Sequence, residues 1–98
     1  MNIIKNAEDN LLTLTLEGRL DTTTAPEFEK AANEIPEEIT ELIICAEKLE
    51  YVSSAGLRVF LMLQKKMNAQ GKMTVKGLTE SVREVFDITG FSDILNIE

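Results

Sequence analysis

Two adjacent serines, Ser53 and Ser54, are the residues of this chain best suited to do chemistry. They follow a strand-like segment, and the small residues Ala55 and Gly56 lead from them into an apolar helical pattern. The hydroxyls therefore lie at a predicted helix start, where the first backbone N–H groups lack intrahelical partners and bear partial positive charge. A serine there either caps the helix or provides a favoured position for a phosphate. The residue pattern leaves both interpretations open.

Catalysis by these serines is not expected from the rest of the sequence. The chain contains no histidine, so it lacks the commonest general base, the commonest metal ligand and any Ser-His nucleophile pair. A nucleophile elbow also needs a preceding glycine, which is absent here. No lysine-bearing glycine loop is present to hold a nucleotide. The sequence therefore predicts a protein that is not an enzyme and that has no metal site and no cofactor.

The charge balance narrows the kinds of partner. Ten basic and 17 acidic residues give a formal net charge of −7, which repels nucleic acid and anionic lipid. The single cysteine, Cys45, cannot form an internal disulfide, and the first residues show no signal-peptide pattern. We expect one domain over residues 1–98 in a reducing cytoplasm, with no nucleic-acid or membrane partner.

The first half of the chain predicts a hairpin followed by a helix. Leu12, Leu14 and Leu16 alternate with polar residues, as in a strand with one buried face. A shorter apolar run precedes them, and the turn over 8–10 predicts antiparallel pairing. Thr24 and Glu27 then have the spacing of a capping box, which predicts a helix from about residue 25 to 34.

The second half of the chain predicts strands that alternate with helices. The apolar run 42–46 is typical of a strand covered on both faces. A helix from residue 55 to about 68, a strand over 72–76 and a helix capped by Thr79 follow. This order predicts a single-domain α/β fold, in which helices pack mainly on one face of a mixed β-sheet.

Four stretches of the chain resemble the STAS domain of the anti-sigma factor antagonist type. They are Gly18-Arg19-Leu20-Asp21, Thr24-Ala25-Pro26, the segment 49–57 around the two serines, and the segment 88–95 near the end. The resemblance implies a STAS-like fold and a bacterial cytoplasmic regulator that binds an anti-sigma factor serine kinase and thereby frees a sigma factor. It also implies that the kinase phosphorylates the antagonist to end the interaction, and that a serine phosphatase transiently resets it.

The resemblance also implies which residues form the site. The phosphoacceptor falls on Ser54, with Ser53 as the alternative; Ser53 stands where many members have aspartate. The residues expected to contact the partner are Asp21, Thr22, Thr23, Ser53, Ala55, Gly56, Leu57 and Arg58. A second possibility stays within the same fold: a STAS subunit of another signalling or transporter-associated complex, without serine phosphorylation.

Overall fold

A four-stranded sheet with the strand order β1-β2-β3-β4 organises the chain. The computed structural model describes all of residues 1–98. The elements in chain order are β1 (Asn2–Glu8), β2 (Leu11–Leu20), α1 (Ala25–Asn33), β3 (Glu41–Val52), α2 (Ser54–Gln70), β4 (Lys72–Lys76), α3 (Glu80–Ile88) and a 3₁₀ turn (Phe91–Asp93). No helix among them is both long and apolar enough to cross a membrane.

The predicted hairpin is the antiparallel pair β1 and β2. Asp9 turns the chain with a positive φ of 54°, a conformation that aspartate tolerates better than most residues. Strand β2 buries Leu12, Leu14 and Leu16, so the alternation in the sequence correctly identified its inner face. Strand β1 is longer than its apolar run indicated and is mostly exposed.

The strands β2, β3 and β4 run parallel to one another, which makes the sheet mixed. Strand β3 covers Glu41–Val52, well beyond the predicted run 42–46. Register shifts between β2 and β3 change the alternation near the end of both strands. Leu49 and Val52 consequently both remain buried, although strict alternation would place them on opposite faces.

Three phenylalanine rings, one from each α-helix, join the helices into one layer over the inner face of the sheet. The rings of Phe28 and Phe60 are 5.2 Å apart, and those of Phe60 and Phe86 are also 5.2 Å apart, both in edge-to-face arrangements. All three side chains are fully buried and belong to one core cluster with the inner residues of the strands. The α/β fold with helices on one face of the sheet is therefore confirmed.

Candidate functional site

The loops after β2 and β3 meet at one edge of the sheet. Leu20 and Val52 are register partners at the ends of these parallel strands. The backbone N–H of Ser53 donates a 2.8 Å hydrogen bond to the carbonyl of Leu20. The register therefore brings Asp21, which follows Leu20, to the same edge as the serine pair.

The two serines have different roles at the start of α2. Ser53 is the N-cap, with an extended backbone (φ −96°, ψ 174°), and its Oγ accepts a 3.4 Å hydrogen bond from the N–H of Gly56. Its carbonyl accepts from the N–H of Leu57 at 2.9 Å. Ser54 is the first helical residue; its side chain is exposed and makes no hydrogen bond within the protein. The cap and the free hydroxyl are thus separate residues.

Gly56 allows α2 to start in close contact with the strand ends. It is buried, and a Cβ at this position would lie 2.6 Å from Cγ of Leu20 and 3.0 Å from Cγ2 of Val52. Leu20 is itself fully buried. The glycine therefore sets the distance between the helix start and the sheet.

Gly56→Ala is expected to lower the free energy of unfolding by up to about 2 kcal/mol. Overpacking a buried site costs roughly 1–3 kcal/mol, and the better helix propensity of alanine offsets about 1 kcal/mol of that. Urea unfolding followed by circular dichroism measures the difference. The control is Ser54→Ala, an exposed change in the same turn, which we expect to leave the stability unchanged. A Gly56→Ala protein that is more stable than the original chain by about 1 kcal/mol, the gain from helix propensity alone, would contradict the close contact.

Asp21 organises the loop between β2 and α1. Its Oδ1 accepts hydrogen bonds from the hydroxyl of Thr23 at 2.7 Å, the N–H of Thr23 at 3.0 Å and the N–H of Thr24 at 3.1 Å. Arg19 Nε lies 4.0 Å from its Oδ2. The hydrogen bond from the Thr23 hydroxyl is the largest of the effects that hold the pKa of Asp21 below its ordinary value of 3.8. Desolvation opposes it, and the N–H groups of Thr24 and Thr23 and the Thr24 hydroxyl add to the lowering.

The predicted capping box at Thr24 is wrong. Thr24 is the residue before α1, but its side chain caps no helical N–H. Its hydroxyl instead donates to the carbonyl of Arg19 at 2.8 Å and accepts from the N–H of Asp21 at 2.9 Å. Thr24 also has a helical rather than an extended backbone (φ −101°, ψ −19°). The turn at the start of α1 is therefore built around the Asp21 carboxylate.

Through its hydrogen bonds in this loop, Asp21 should make the free energy of unfolding of the protein depend on pH in the acid range. A carboxyl with a lowered pKa in the folded state stabilises the fold above its unfolded-state pKa, and this contribution is lost as the pH falls through the lower folded-state value. We expect the stability advantage of the original chain over Asp21→Asn to be constant above about pH 5 and to shrink below pH 3.8. Urea unfolding of both proteins from pH 2.5 to pH 7 measures it.

The effect of Asp21 must be taken as the difference in stability between the original chain and Asp21→Asn, because a second carboxyl also titrates in this range. The hydroxyl of Ser92 and the guanidinium of Arg83 lower the pKa of Asp87. That group remains in both proteins, so its titration cancels. A pH-independent difference would contradict the role given to the Asp21 carboxylate.

A shallow groove of about 170 Å³ runs between the starts of α1 and α2. Of the predicted partner-contact residues, it brings together Thr22, Ala55 and Arg58. Thr22, Thr23 and Arg58 are exposed, and Asp21, Ser53 and Ala55 are half-buried. Gly56 and Leu57 face the interior, Leu57 being only 5% exposed. The side chains available to a partner are thus fewer than the sequence indicated.

One contact at this edge, between Arg19 and Tyr51, was not predicted from the sequence. The guanidinium carbon of Arg19 lies 4.3 Å from the centre of the Tyr51 ring, close enough for a cation–π interaction. Both residues lie in the quoted motifs, but their pairing depends on the register shift between Gly18 and Arg19. Tyr51 is 40% exposed, which adds an aromatic surface beside the Asp21 loop.

The site holds no arrangement typical of metal chemistry. No group of three or more carboxylate, thiol or imidazole side chains converges on a common point. The chemistry present at this edge is a free hydroxyl at a helix N-terminus, an anchored carboxylate and an exposed guanidinium.

Comparisons with known proteins agree with this architecture. The model of the STAS domain family matches residues 2–98. The anti-sigma-B factor antagonist of Bacillus subtilis is 30% identical over 98 residues, covering 99% of this chain and 90% of that protein.

The anti-sigma factor antagonist SpoIIAA has been solved in two forms with the same fold. Its unphosphorylated form superimposes with a TM-score of 0.83 at 20% identity, over 99% of this chain and 88% of that one. The phosphorylated form of SpoIIAA, from Bacillus, gives a TM-score of 0.68 at 17% identity, over 99% and 91%. The family model matches nearly the whole chain, and the Bacillus subtilis relative and the shared fold agree with it. The chain therefore belongs to the STAS domain family.

Proposed function

We propose that this protein is an anti-sigma factor antagonist, a binding module whose interaction with an anti-sigma factor serine kinase is switched off by phosphorylation of Ser54. Binding of the kinase releases a sigma factor, and a serine phosphatase restores the unmodified state. The protein acts in the bacterial cytoplasm and itself performs no catalysis.

The observation that carries the proposal is the difference between the two serines. Ser54 presents an exposed hydroxyl with no intramolecular partner at the first position of α2, whereas the Ser53 hydroxyl is used as the helix cap. A kinase needs a hydroxyl that can enter its own active site. Ser54 meets that requirement without the loss of any hydrogen bond.

The start of α2 can accommodate the resulting phosphate. A phosphate adds about −1.5 to −2 charges and three acceptor oxygens. The first turn of α2 contains no acidic residue, and the helix dipole with its free N–H groups favours an anion there. Phosphorylation should therefore leave the fold intact while changing the charge of the surface.

The surface around Ser54 has the features of a docking site for that kinase. The groove between α1 and α2 exposes Thr22 and Arg58, and Ala55, which also lines it, directly follows Ser54. Asp21 and Thr23 extend this surface on the other loop. A phosphate on Ser54, next to this surface in the chain, would add bulk, a desolvation cost and repulsion of any facing carboxylate.

The relatives support the same function. The Bacillus subtilis relative is named for antagonism of an anti-sigma factor, and SpoIIAA, an antagonist of the same fold, exists in unphosphorylated and phosphorylated forms. The function is extended to this chain on the strength of these two relatives and of the exposed Ser54 hydroxyl at the start of α2.

Phosphate mapping with matched serine variants tests the proposal. The protein is incubated with ATP and each anti-sigma kinase of the same genome, and the modified residue is identified by mass spectrometry. We expect phosphate on Ser54 in the original chain and in Ser53→Asn, which retains a capping side chain. We expect none in Ser54→Ala, which should still bind the kinase. Phosphate on a different residue would overturn the site.

The same preparation distinguishes the alternative assembly. If no anti-sigma kinase binds and a transporter or other signalling subunit is recovered instead, the antagonist function is wrong and the STAS domain serves another complex. Recovery of a sigma regulator supports the proposal.

A further inference from the structure

Arg58 is an exposed cation that has no counter-ion in the structure. Six ion pairs link acidic and basic side chains across the protein, and Arg58 takes part in none of them. It also makes no side-chain hydrogen bond, and it lines the groove beside Ala55. Its guanidinium is therefore available to an anion that the unmodified chain does not supply.

The position of Arg58 on α2 relates it directly to Ser54. The two residues are four apart in one continuous helix, Ser54–Gln70, and both are exposed. Side chains at this spacing are neighbours on the helix surface, with Cβ atoms about 5–6 Å apart. The order is also the favourable one, because an anion is best placed on the N-terminal side of its cation.

The other anions near this position are weaker competitors for Arg58. Glu29 lines the same groove from α1, but it forms no ion pair with Arg58. Asp21 is occupied by Thr23, Thr24 and Arg19. A phosphate with its higher charge and its three oxygens would be the strongest acceptor within reach.

We infer that a phosphate on Ser54 pairs with Arg58 within α2, so that phosphorylation withdraws this guanidinium from the partner-facing groove. The inference rests on Ser54 as the phosphoacceptor. The switch then has two components. Phosphorylation adds negative charge at Ser54, and the phosphate neutralises the exposed guanidinium of Arg58 on the same helix. Arg58 acts here as a positioning residue for the phosphate.

The test uses phosphoserine placed at position 54 by genetic code expansion, so that no kinase is needed. The pKa of the phosphate, ordinarily about 6, is followed by ³¹P NMR. We expect Arg58→Gln to raise it by roughly 0.3 units or more at low salt. Arg58→Lys should retain part of the effect, and 1 M salt should reduce it, since exposed pairs are screened.

Lys65→Gln provides the matched control. It removes the same charge from an exposed position two turns further along α2. We expect it to shift the phosphate pKa much less than Arg58→Gln does. Equal shifts in the two variants, or no shift in either, would overturn the pair. The melting temperature of unphosphorylated Arg58→Gln should match that of the original chain.

Because the phosphoserine is installed directly, the result does not depend on finding the kinase. Absence of kinase phosphorylation together with a clear Arg58 effect would contradict the proposed function but leave the ion pair in place. Phosphorylation of Ser54 by the kinase without an Arg58 effect would support the proposed function but overturn the ion pair.

Discussion

Phosphate on Ser54 is expected to weaken kinase binding roughly a hundredfold or more, equivalent to about 2.7 kcal/mol. The exposed Ser54 directly precedes Ala55, which lines the groove between α1 and α2, so a kinase that fills this groove would meet the phosphate. Repulsion from a facing carboxylate of the kinase would cost several kcal/mol. Isothermal titration calorimetry with the phosphorylated and unphosphorylated proteins measures the change.

A pair of variants separates charge from bulk. Ser54→Asp and Ser54→Asn have nearly the same shape and differ by one unit of charge. We expect the aspartate variant to bind the kinase at least about tenfold more weakly than the asparagine variant, and both to fold as the original chain does. Equal affinities would contradict an electrostatic switch.

Phe60→Ala is expected to reduce the free energy of unfolding by about 3–5 kcal/mol. The Phe60 ring stands between those of Phe28 and Phe86, 5.2 Å from each. Its removal leaves a cavity at the point where all three helices meet, and it also removes two edge-to-face contacts. Since small domains are stable by only about 5–15 kcal/mol, much of the variant should be unfolded under mild denaturing conditions.

Urea unfolding followed by circular dichroism tests this expectation, with Phe91→Ala as the control. Phe91 has one aromatic neighbour, the Phe86 ring at 6.5 Å, and is half-buried at the margin of the core. Its truncation should therefore cost clearly less than that of Phe60. Similar losses for the two variants would mean that Phe60 is not central to the packing of the helices.

The order of strands and helices was predictable because their apolar periodicity is local. Leu12, Leu14 and Leu16 identify a strand face without any knowledge of its neighbours. The second half of β3 was not predictable in this way. There Leu49 and Val52 are both buried because the register with β2 shifts, and such shifts depend on a partner strand that local patterns do not describe.

The sequence located the serine pair at a helix start, but it did not divide the roles of the residues around it. Sequence placed both Ser53 and Ser54 at a helix start, and only the position of the N–H of Gly56 assigns the cap to Ser53. Thr24 had the spacing of a cap, yet its hydroxyl bonds to the carbonyl of Arg19 and the N–H of Asp21. The contact between Arg19 and Tyr51 likewise requires two strands in register.

The hydrogen bond between Ser53 and Leu20 joins segments that are far apart in the chain. The surface around Ser54 consequently exists only after β2 and β3 have paired, and an unfolded or newly made chain does not present it. A kinase that recognises this surface would ignore immature copies of the protein. Under the proposed function, only fully folded copies of the protein would therefore bind the kinase and be phosphorylated by it.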